Sequence, residues 1–298
     1  MIEINKLSVE LEEKEILHNI NLKFHKGKIY GIIGPNGVGK TTFIKTLVGI
    51  YKNNKGNILY DGEEVYDNPK VKEKIAYVAD ENNFFASFKI KDIIKFYKMA
   101  YKNFKEERFH NINKIFNVDI NKRFYMLSKG TKMRVALMIA FAQCGEYMIL
   151  DEPTSGLDPI LKSKLLKLLK KEVKERDITI IISSHHLNEL EKICDDIVII
   201  NNGEVSYESS LENMRKTIKK IQVAFDMPVY EEDLKEIDGV FRFSKVGRVF
   251  TIITDDYSEK FITEINKFQP LFIEEIDLNL EDIFIYRLEE GNIDEEII

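Results

Sequence analysis

From the start of the chain to about residue 208, short apolar runs alternate with longer stretches of helical spacing. Residues 29–33 are β-rich and run into a glycine-rich loop, after which 42–50 carry helical spacing. Residues 75–78 predict a short strand. Segments 90–101 and 107–116 place apolar side chains three and four residues apart, as on one face of a helix. Residues 131–144 predict a helix that is apolar on most faces and therefore buried, and 160–174 predicts an amphipathic one. The runs 147–150, 178–182 and 197–200 are continuously apolar, the pattern of strands covered on both faces. Strands alternating with helices in this way predict an α/β domain with a mainly parallel sheet. Asn201-Asn202-Gly203 is a hairpin-turn signal near its end.

The pattern then changes. Segments 221–225, 240–244 and 249–254 predict strands, with helices at 231–237 and 259–266, so a small α+β domain is expected over 216–298 after a first domain of 1–215. Charge changes with it: residues 217–298 hold 9 Lys and Arg against 20 Asp and Glu, although the whole chain is only −6. So acidic a C-terminal third argues against a nucleic-acid surface there, and no nucleic-acid partner is expected. A solvated acidic face accounts for the charge.

Composition narrows the class further. A hydrophobic content of 44% in 298 residues can fill a real core. No stretch reaches the roughly 18 apolar residues of a membrane span. The start, Met1-Ile2-Glu3-Ile4-Asn5-Lys6, has an early acid and no long apolar run, so it does not read as a signal peptide. Cys144 and Cys194 fit no metal or redox spacing and are expected to be free thiols in a reducing compartment, packed as small hydrophobes.

Three segments carry chemistry. The first is Gly34-Pro35-Asn36-Gly37-Val38-Gly39-Lys40-Thr41, with Thr42 following. Glycines let backbone N–H groups converge on phosphate oxygens without Cβ clashes, and the helix that follows favours an anion at its N-terminus. Lys40 is placed to reach the β- and γ-phosphates of a nucleoside triphosphate, and the Thr41 hydroxyl to hold Mg²⁺. The second is the apolar strand Tyr147-Met148-Ile149-Leu150, which delivers Asp151 and Glu152 at its C-terminal end, where open α/β sheets bind ligands. Asp151 is placed in the Mg²⁺ shell and Glu152 to orient and deprotonate an attacking water. The third is Ile180-Ile181-Ile182-Ser183-Ser184-His185, where a buried strand ends near a histidine able to meet the γ-phosphate; His186 is its adjacent rival, and a structural role is the equal alternative.

Together these segments resemble the nucleotide-binding subunits of ABC (ATP-binding cassette) transporters, over roughly residues 1–215. The most specific piece is Leu127-Ser128-Lys129-Gly130-Thr131, similar to that family's Leu-Ser-Gly-Gly-Gln signature, between the phosphate loop and the acidic strand. Residues 151–159 are close to the family's acidic strand and D-loop, with Asp158 as the D-loop acid, and His185 aligns with its switch histidine. The resemblance implies a P-loop NTPase core with an antiparallel β subdomain and a helical signature subdomain at about 80–144. It implies ATP with Mg²⁺, and Asn36, Gly37, Gly39, Lys40, Thr41 and Thr42 around the phosphates. It also implies two cassettes closing head to tail, so that Ser128 and Gly130 cap the γ-phosphate of the other subunit's ATP. A homodimer is favoured, with a heterodimer as the alternative. A membrane permease would hold the pair on the cytoplasmic face of the cell membrane. Leu280-Glu281-Asp282-Ile283-Phe284 is similar to a tail motif of ATPases from drug and antibiotic-peptide exporters, which implies export and a dimerising or regulatory C-terminal domain.

The sequence departs from the family at four positions. Lys129 stands for the first signature glycine, and Thr131 for the glutamine. Asp80 stands where the Q-loop glutamine is usual; a carboxylate can bind Mg²⁺ or water but, when ionised, cannot donate. Leu11 aligns with the aromatic residue that stacks on adenine and offers an apolar contact without a π face. Ribosome-acting ABC proteins are disfavoured because the chain has one phosphate loop and one signature. Chromosome ATPases are disfavoured because no sustained heptads divide the cassette. A nucleotide kinase would share the phosphate loop but leave the signature unexplained.

Overall fold

The computed structural model describes residues 1–81, 85–227 and 229–290. Strands β1 (Ile2–Leu11) and β2 (Lys14–Phe24) form a hairpin turned at Glu12 and Glu13, both in the left-handed region with φ of 50° and 64°. On β1 the buried apolar residues are Ile2 and Ile4, then Leu7 and Val9, a change of phase. Lys6 sits at the change with φ 48°, and the pairing register slips there. The same happens opposite, where Leu17 is followed by Ile20, Leu22 and Phe24 across Asn19, φ 45°. A bulge inserts one residue and would turn the rest of a strand inside out. Here the sequence changes phase with the backbone, so both halves of each strand bury their apolar side chains.

Strands β4 (Lys55–Tyr60) and β5 (Glu63–Glu64) complete an antiparallel sheet in the order β2-β1-β4-β5. The second sheet contains β3 (Ile29–Ile33), β6 (Ile75–Val78), β7 (Tyr147–Asp151), β8 (Thr179–Ser183), β9 (Asp196–Asn201) and β10 (Glu204–Ser210), in the order β10-β9-β3-β8-β7-β6. The pairs from β9 through β6 are parallel. Every residue of β3, β7 and β8 is buried, which explains their unbroken apolar runs. Asn202 and Gly203 turn β9 into β10 with positive φ at both positions. Helix α1 (Lys40–Leu47) buries Phe43, Ile44 and Leu47 in a core shared with both sheets. It ends earlier than the sequence predicts: Gly49 takes φ 68°, and the buried Tyr60 hydroxyl donates to the Leu47 carbonyl.

A short helix α2 (Pro69–Glu73), capped by Asn68, leads into β6. The helical part follows as α3 (Ile90–Ala100), α4 (Glu106–Phe116) and α5 (Lys129–Gln143). From Val135 to Gln143 every residue of α5 is buried except Ala136, which is partly exposed. α5 begins two residues before the sequence-predicted start because Ser128 caps it, accepting from the Thr131 amide at 3.3 Å. Helix α6 (Pro159–Arg176) and the single turn α7 (Leu187–Leu190) complete this unit. Glu172 on α6 is buried between Arg108 and Arg176, which offset its charge.

The chain divides into units Met1–Glu208 and Ser209–Ile298. The division falls a few residues before the expected 215, since helix α8 (Leu211–Thr217), capped by Ser210, groups with the second unit. That unit continues with β11 (Lys219–Phe225), α9 (Glu231–Lys235), β12 (Val240–Val246), β13 (Val249–Thr254), α10 (Glu259–Asn266), β14 (Pro270–Ile276) and α11 (Leu280–Glu290). Its antiparallel sheet has the order β12-β13-β11-β14. Ile221, Val223, Phe250, Ile252, Phe261 and Ile265 form its core. Leu280 and Ile283, from the tail motif, are buried, and Asp282 pairs with Lys220 at 2.8 Å.

Candidate nucleotide cleft

Three parallel strands set the site. Ile32 of β3 and Asp151 of β7 are both register partners of Ser183 at the end of β8, so the three chains leave the sheet side by side. From β3 the chain enters the glycine loop. Gly39 caps α1 at φ 104°, a conformation L side chains rarely adopt, and a Cβ there would lie 2.9 Å from Leu17. The first turn of α1 then aims the amides of Lys40, Thr41 and Thr42 at the cleft, where they lack intrahelical partners. Lys40 Nζ donates to the Gly34 carbonyl at 2.7 Å and to that of Pro35 at 2.8 Å. Burial lowers the pKa of this lysine, against the opposing pull of Glu152 and Asp151.

Asp151 is 2% exposed. Burial raises the pKa of its carboxyl, and hydrogen bonds from Ser183 and Thr41 oppose the rise. The Ser183 hydroxyl links two strands: it donates to Asp151 Oδ1 at 2.7 Å and accepts from the Glu152 amide at 3.0 Å. Glu152 itself has φ 49°. A non-glycine residue held there costs of order 1 kcal/mol or more, and such strain collects at functional positions. The kink turns the Glu152 side chain out of the sheet toward His185, whose Nδ1 stands 2.8 Å from Glu152 Oε2. With Glu152 ionised, Nδ1 carries a proton and donates to it, so Nε2 is the ring nitrogen left without this partner. His186 is not part of the cleft wall, although its ring lies 3.9 Å from that of His185.

These side chains line a cleft of about 560 Å³ bounded by Ile16, Asn36, Gly37, Gly39, Lys40, Thr41, Thr42, Asp80, Glu152, Ser155 and His185. Two of them were not among the site residues expected from the sequence. Ser155 follows the acidic pair, its amide donating to the Glu152 carbonyl at 3.0 Å. Ile16 takes the wall position expected of Leu11, which packs against the core at the end of β1 and does not line the cleft. The reason is the turn at Glu12 and Glu13, which brings the start of β2 beside the glycine loop. An apolar residue at 16, beside a loop 20 residues later, was the available signal.

Ser128, Gly130 and Asp158 stand apart from this cleft wall. Ser128 is exposed, and its hydroxyl lies 3.0 Å from that of Thr131. Thr131 also accepts from Arg134 at 2.7 Å. Gly130 is pressed against the loop that follows the acidic strand: a Cβ on it would lie 2.1 Å from the Gly156 carbonyl oxygen. Asp158 caps α6, accepting from the Ile160 and Leu161 amides. Asp80, by contrast, is in the cleft wall and pairs with Lys129 at 2.8 Å.

A family profile described as ABC transporter matches residues 17–155. The lantibiotic transport ATP-binding protein SrtF of Streptococcus pyogenes is 32% identical over 213 residues, which cover 71% of this chain and 92% of SrtF. The chain belongs to the ABC transporter ATP-binding proteins. Within that family, the ABC transporter ATP-binding protein YtrB of Bacillus subtilis (strain 168) is 29% identical over 289 residues, 96% of this chain and 97% of YtrB. A solved structure of an ATP-binding subunit of an ABC transporter matches with a TM-score of 0.67 at 27% identity, covering 72% of this chain and 92% of that one. The similarity to SrtF therefore accounts for about the length of the first unit, whereas that to YtrB extends over nearly the whole chain. As an ABC ATPase, the chain has its α/β P-loop fold and its ATP-binding chemistry in common with the family.

The ABC cleft fits a hard divalent cation that brings its own ligands. Among the described residues no cluster of three or more His, Cys, Asp or Glu can hold a metal. Thr41 and Asp151 converge on one wall, with Asp80 also on the cleft. An oxygen-only set this sparse suits Mg²⁺, which keeps several waters and takes other ligands from phosphate. Among the described residues no helix is long and apolar enough to cross a membrane.

Proposed function

We propose that this chain is the ATP-hydrolysing subunit of an exporter, coupling nucleotide-driven pairing of two ATP-binding subunits to a separate membrane permease at the cytoplasmic face. The observation that carries the reading is the convergence of Lys40, Thr41, Asp151 and the Glu152–His185 pair at the ends of three adjacent parallel strands.

The loop amides, Asn36 and Lys40 hold the phosphates of ATP, and Thr41, Asp151 and Asp80 would hold Mg²⁺. That ion would supply charge neutralisation at the β- and γ-phosphate oxygens. Glu152 accepts a proton from the attacking water as its oxygen bonds to the γ-phosphorus and the bond to the ADP oxygen breaks, giving ADP and phosphate. His185, oriented by Glu152, would donate from Nε2 to a γ-phosphate oxygen when both ring nitrogens carry protons. Ser183 fixes both carboxylate-bearing residues. Ile16 replaces Leu11 as the apolar contact for the base.

Pairing is supported by the separation of Ser128 and Gly130 from the chain's own cleft: an exposed hydroxyl at a helix N-terminus suits the phosphate of a second copy. A permease is supported by the apolar surface around α3. Phe88 and Phe96 are about half exposed beside Phe85, and Met99 is 89% exposed. A single ordinary surface residue needs no partner, but adjoining aromatic ones mark an interface. SrtF, named for lantibiotic transport, supports a transport role, and the export direction rests on the tail motif Leu280-Glu281-Asp282-Ile283-Phe284. The second unit, which the match to YtrB includes, takes a dimerising or regulatory role.

Glu152→Gln tests the reading. It should leave ATP binding intact, lower turnover by about 100-fold or more, and make an ATP-dependent dimer persist in size-exclusion chromatography. Undiminished turnover would remove Glu152 from the chemistry.

A further inference from the structure

One contact in the cleft is not required by phosphate binding. Asp80 leaves the end of β6 and lines the cleft with Glu152 and His185. Lys129, the first residue of α5, places Nζ 2.8 Å from Asp80 Oδ1. That oxygen is screened from solvent and takes no hydrogen bond of good geometry among the described residues, so the lysine charge is its compensation. Asp80 is the main influence holding Lys129 charged, with Glu81 and Glu152 adding to it. These are two of the three positions at which the sequence departs from the signature and Q-loop pattern. Their opposite charges meet in space. A lone acid at 80 would leave the cleft wall uncompensated, and a lone lysine at 129 would leave a cation beside a loop built for phosphate. Lys129 lies between Ser128 and Gly130, so a single side chain ties the signature segment to the chain's own cleft.

We propose that Lys129 is the resident counter-ion of Asp80, that a divalent cation entering with nucleotide displaces it, and that this frees residues 128–130 to face a second copy. The inference rests on the nucleotide reading of the cleft. The pair is suited to displacement. Its side chains are 54% and 40% exposed, and an ion pair in that setting favours contact by only about two- to five-fold. A divalent ion bound directly to a carboxylate oxygen outcompetes an ammonium that keeps most of its water. Lys129 is thus a positioning residue: it holds Asp80 on the cleft wall until the cation takes over.

The test titrates Mg²⁺ against ATP binding by calorimetry on the full chain, comparing wild type, Lys129→Gln, Asp80→Asn and the double variant. Lys129→Gln should lower the half-saturating Mg²⁺ concentration by about two- to five-fold and have no effect once Asp80 is Asn. Hydrogen exchange over residues 128–133, without nucleotide, should speed up by a similar factor in either single variant, with no further gain in the double. Adding Mg²⁺ and ATP, at a chain concentration low enough to keep the protein monomeric, should bring wild type to the same exchange rate. A Lys129→Gln effect that persists in the Asp80→Asn background would overturn the proposal, as would single variants that exchange like wild type. If wild type binds no ATP, the nucleotide reading fails and the displacement with it, while exchange without nucleotide still reports whether the pair holds the loop.

Discussion

Gly130→Ala sets two effects of opposite sign against each other. Gly130 lies in the first turn of α5, where alanine is favoured over glycine by up to about 1 kcal/mol. Against this, the added methyl would stand 2.1 Å from the Gly156 carbonyl oxygen, a backbone atom that cannot rotate away. Real Cβ contacts essentially never fall below 3.0 Å, so helix start and loop must separate by about 1 Å. Overpacking of that kind costs about 1–3 kcal/mol. The clash wins, and the net loss should be about 1–2 kcal/mol, read as a lower urea midpoint with unchanged slope. The displaced loop also holds Ser155 of the cleft wall and the Asp158 cap, so ATP turnover should fall by about 10- to 100-fold. A variant as stable as wild type, or more so, with full turnover would show that propensity alone governs this position and that the two segments are not in contact.

Two further outcomes follow from titrating groups. Because burial raises the pKa of Asp151, its ionised form is a burden on the nucleotide-free fold that is present once pH exceeds its folded value and absent when acid protonates it. Asp151→Asn should therefore raise the melting temperature near pH 7 by a few degrees, with about 1 kcal/mol worth roughly 2–4 °C in a unit of this size. The gain should vanish in acid, and hydrolysis should be lost; a lower melting temperature at neutral pH would contradict it. Asp61 is the reverse case: burial would raise it, but bonds from the Met1 amine, Tyr147 and Lys26 outweigh this and hold it at about 2. Its contribution is complete above the ordinary carboxylate value near 3.8 and is lost as pH falls toward about 2. Asp61→Asn should cost about 1–2 kcal/mol at pH 7, discounted for partial exposure, and nothing in strong acid; equal losses at both pH values in urea titrations would refute the assignment.

Strands β3, β7 and β8 were legible because a strand buried on both faces needs no alternation to betray it. The segments that hold their chemistry leave the sheet at the same end, so motif and geometry coincided. β1 and β2 were not read individually. Their bulges at Lys6 and Asn19 reverse the phase of burial within a few residues, and a window long enough to detect period two averages across the reversal. The same hairpin hid Ile16, because which residue faces the glycine loop depends on where the chain turns. Ser155 lies within the 151–159 run, but a serine there carries no charge or metal-ligand signal to single it out. The Asp80–Lys129 pair could not be seen either: each residue alone is a departure from a motif, and only folding brings their charges together.

The left-handed backbone at Glu152 gives the chain a direction of drift. Glycine at 152 would adopt φ 49° without strain and relax the fold by about 1 kcal/mol. Stability and turnover therefore pull on this residue in opposite senses. A descendant released from the need to hydrolyse ATP would become sturdier by discarding the carboxylate proposed as general base, so the loss of function would be recorded first in the residue the fold tolerates least.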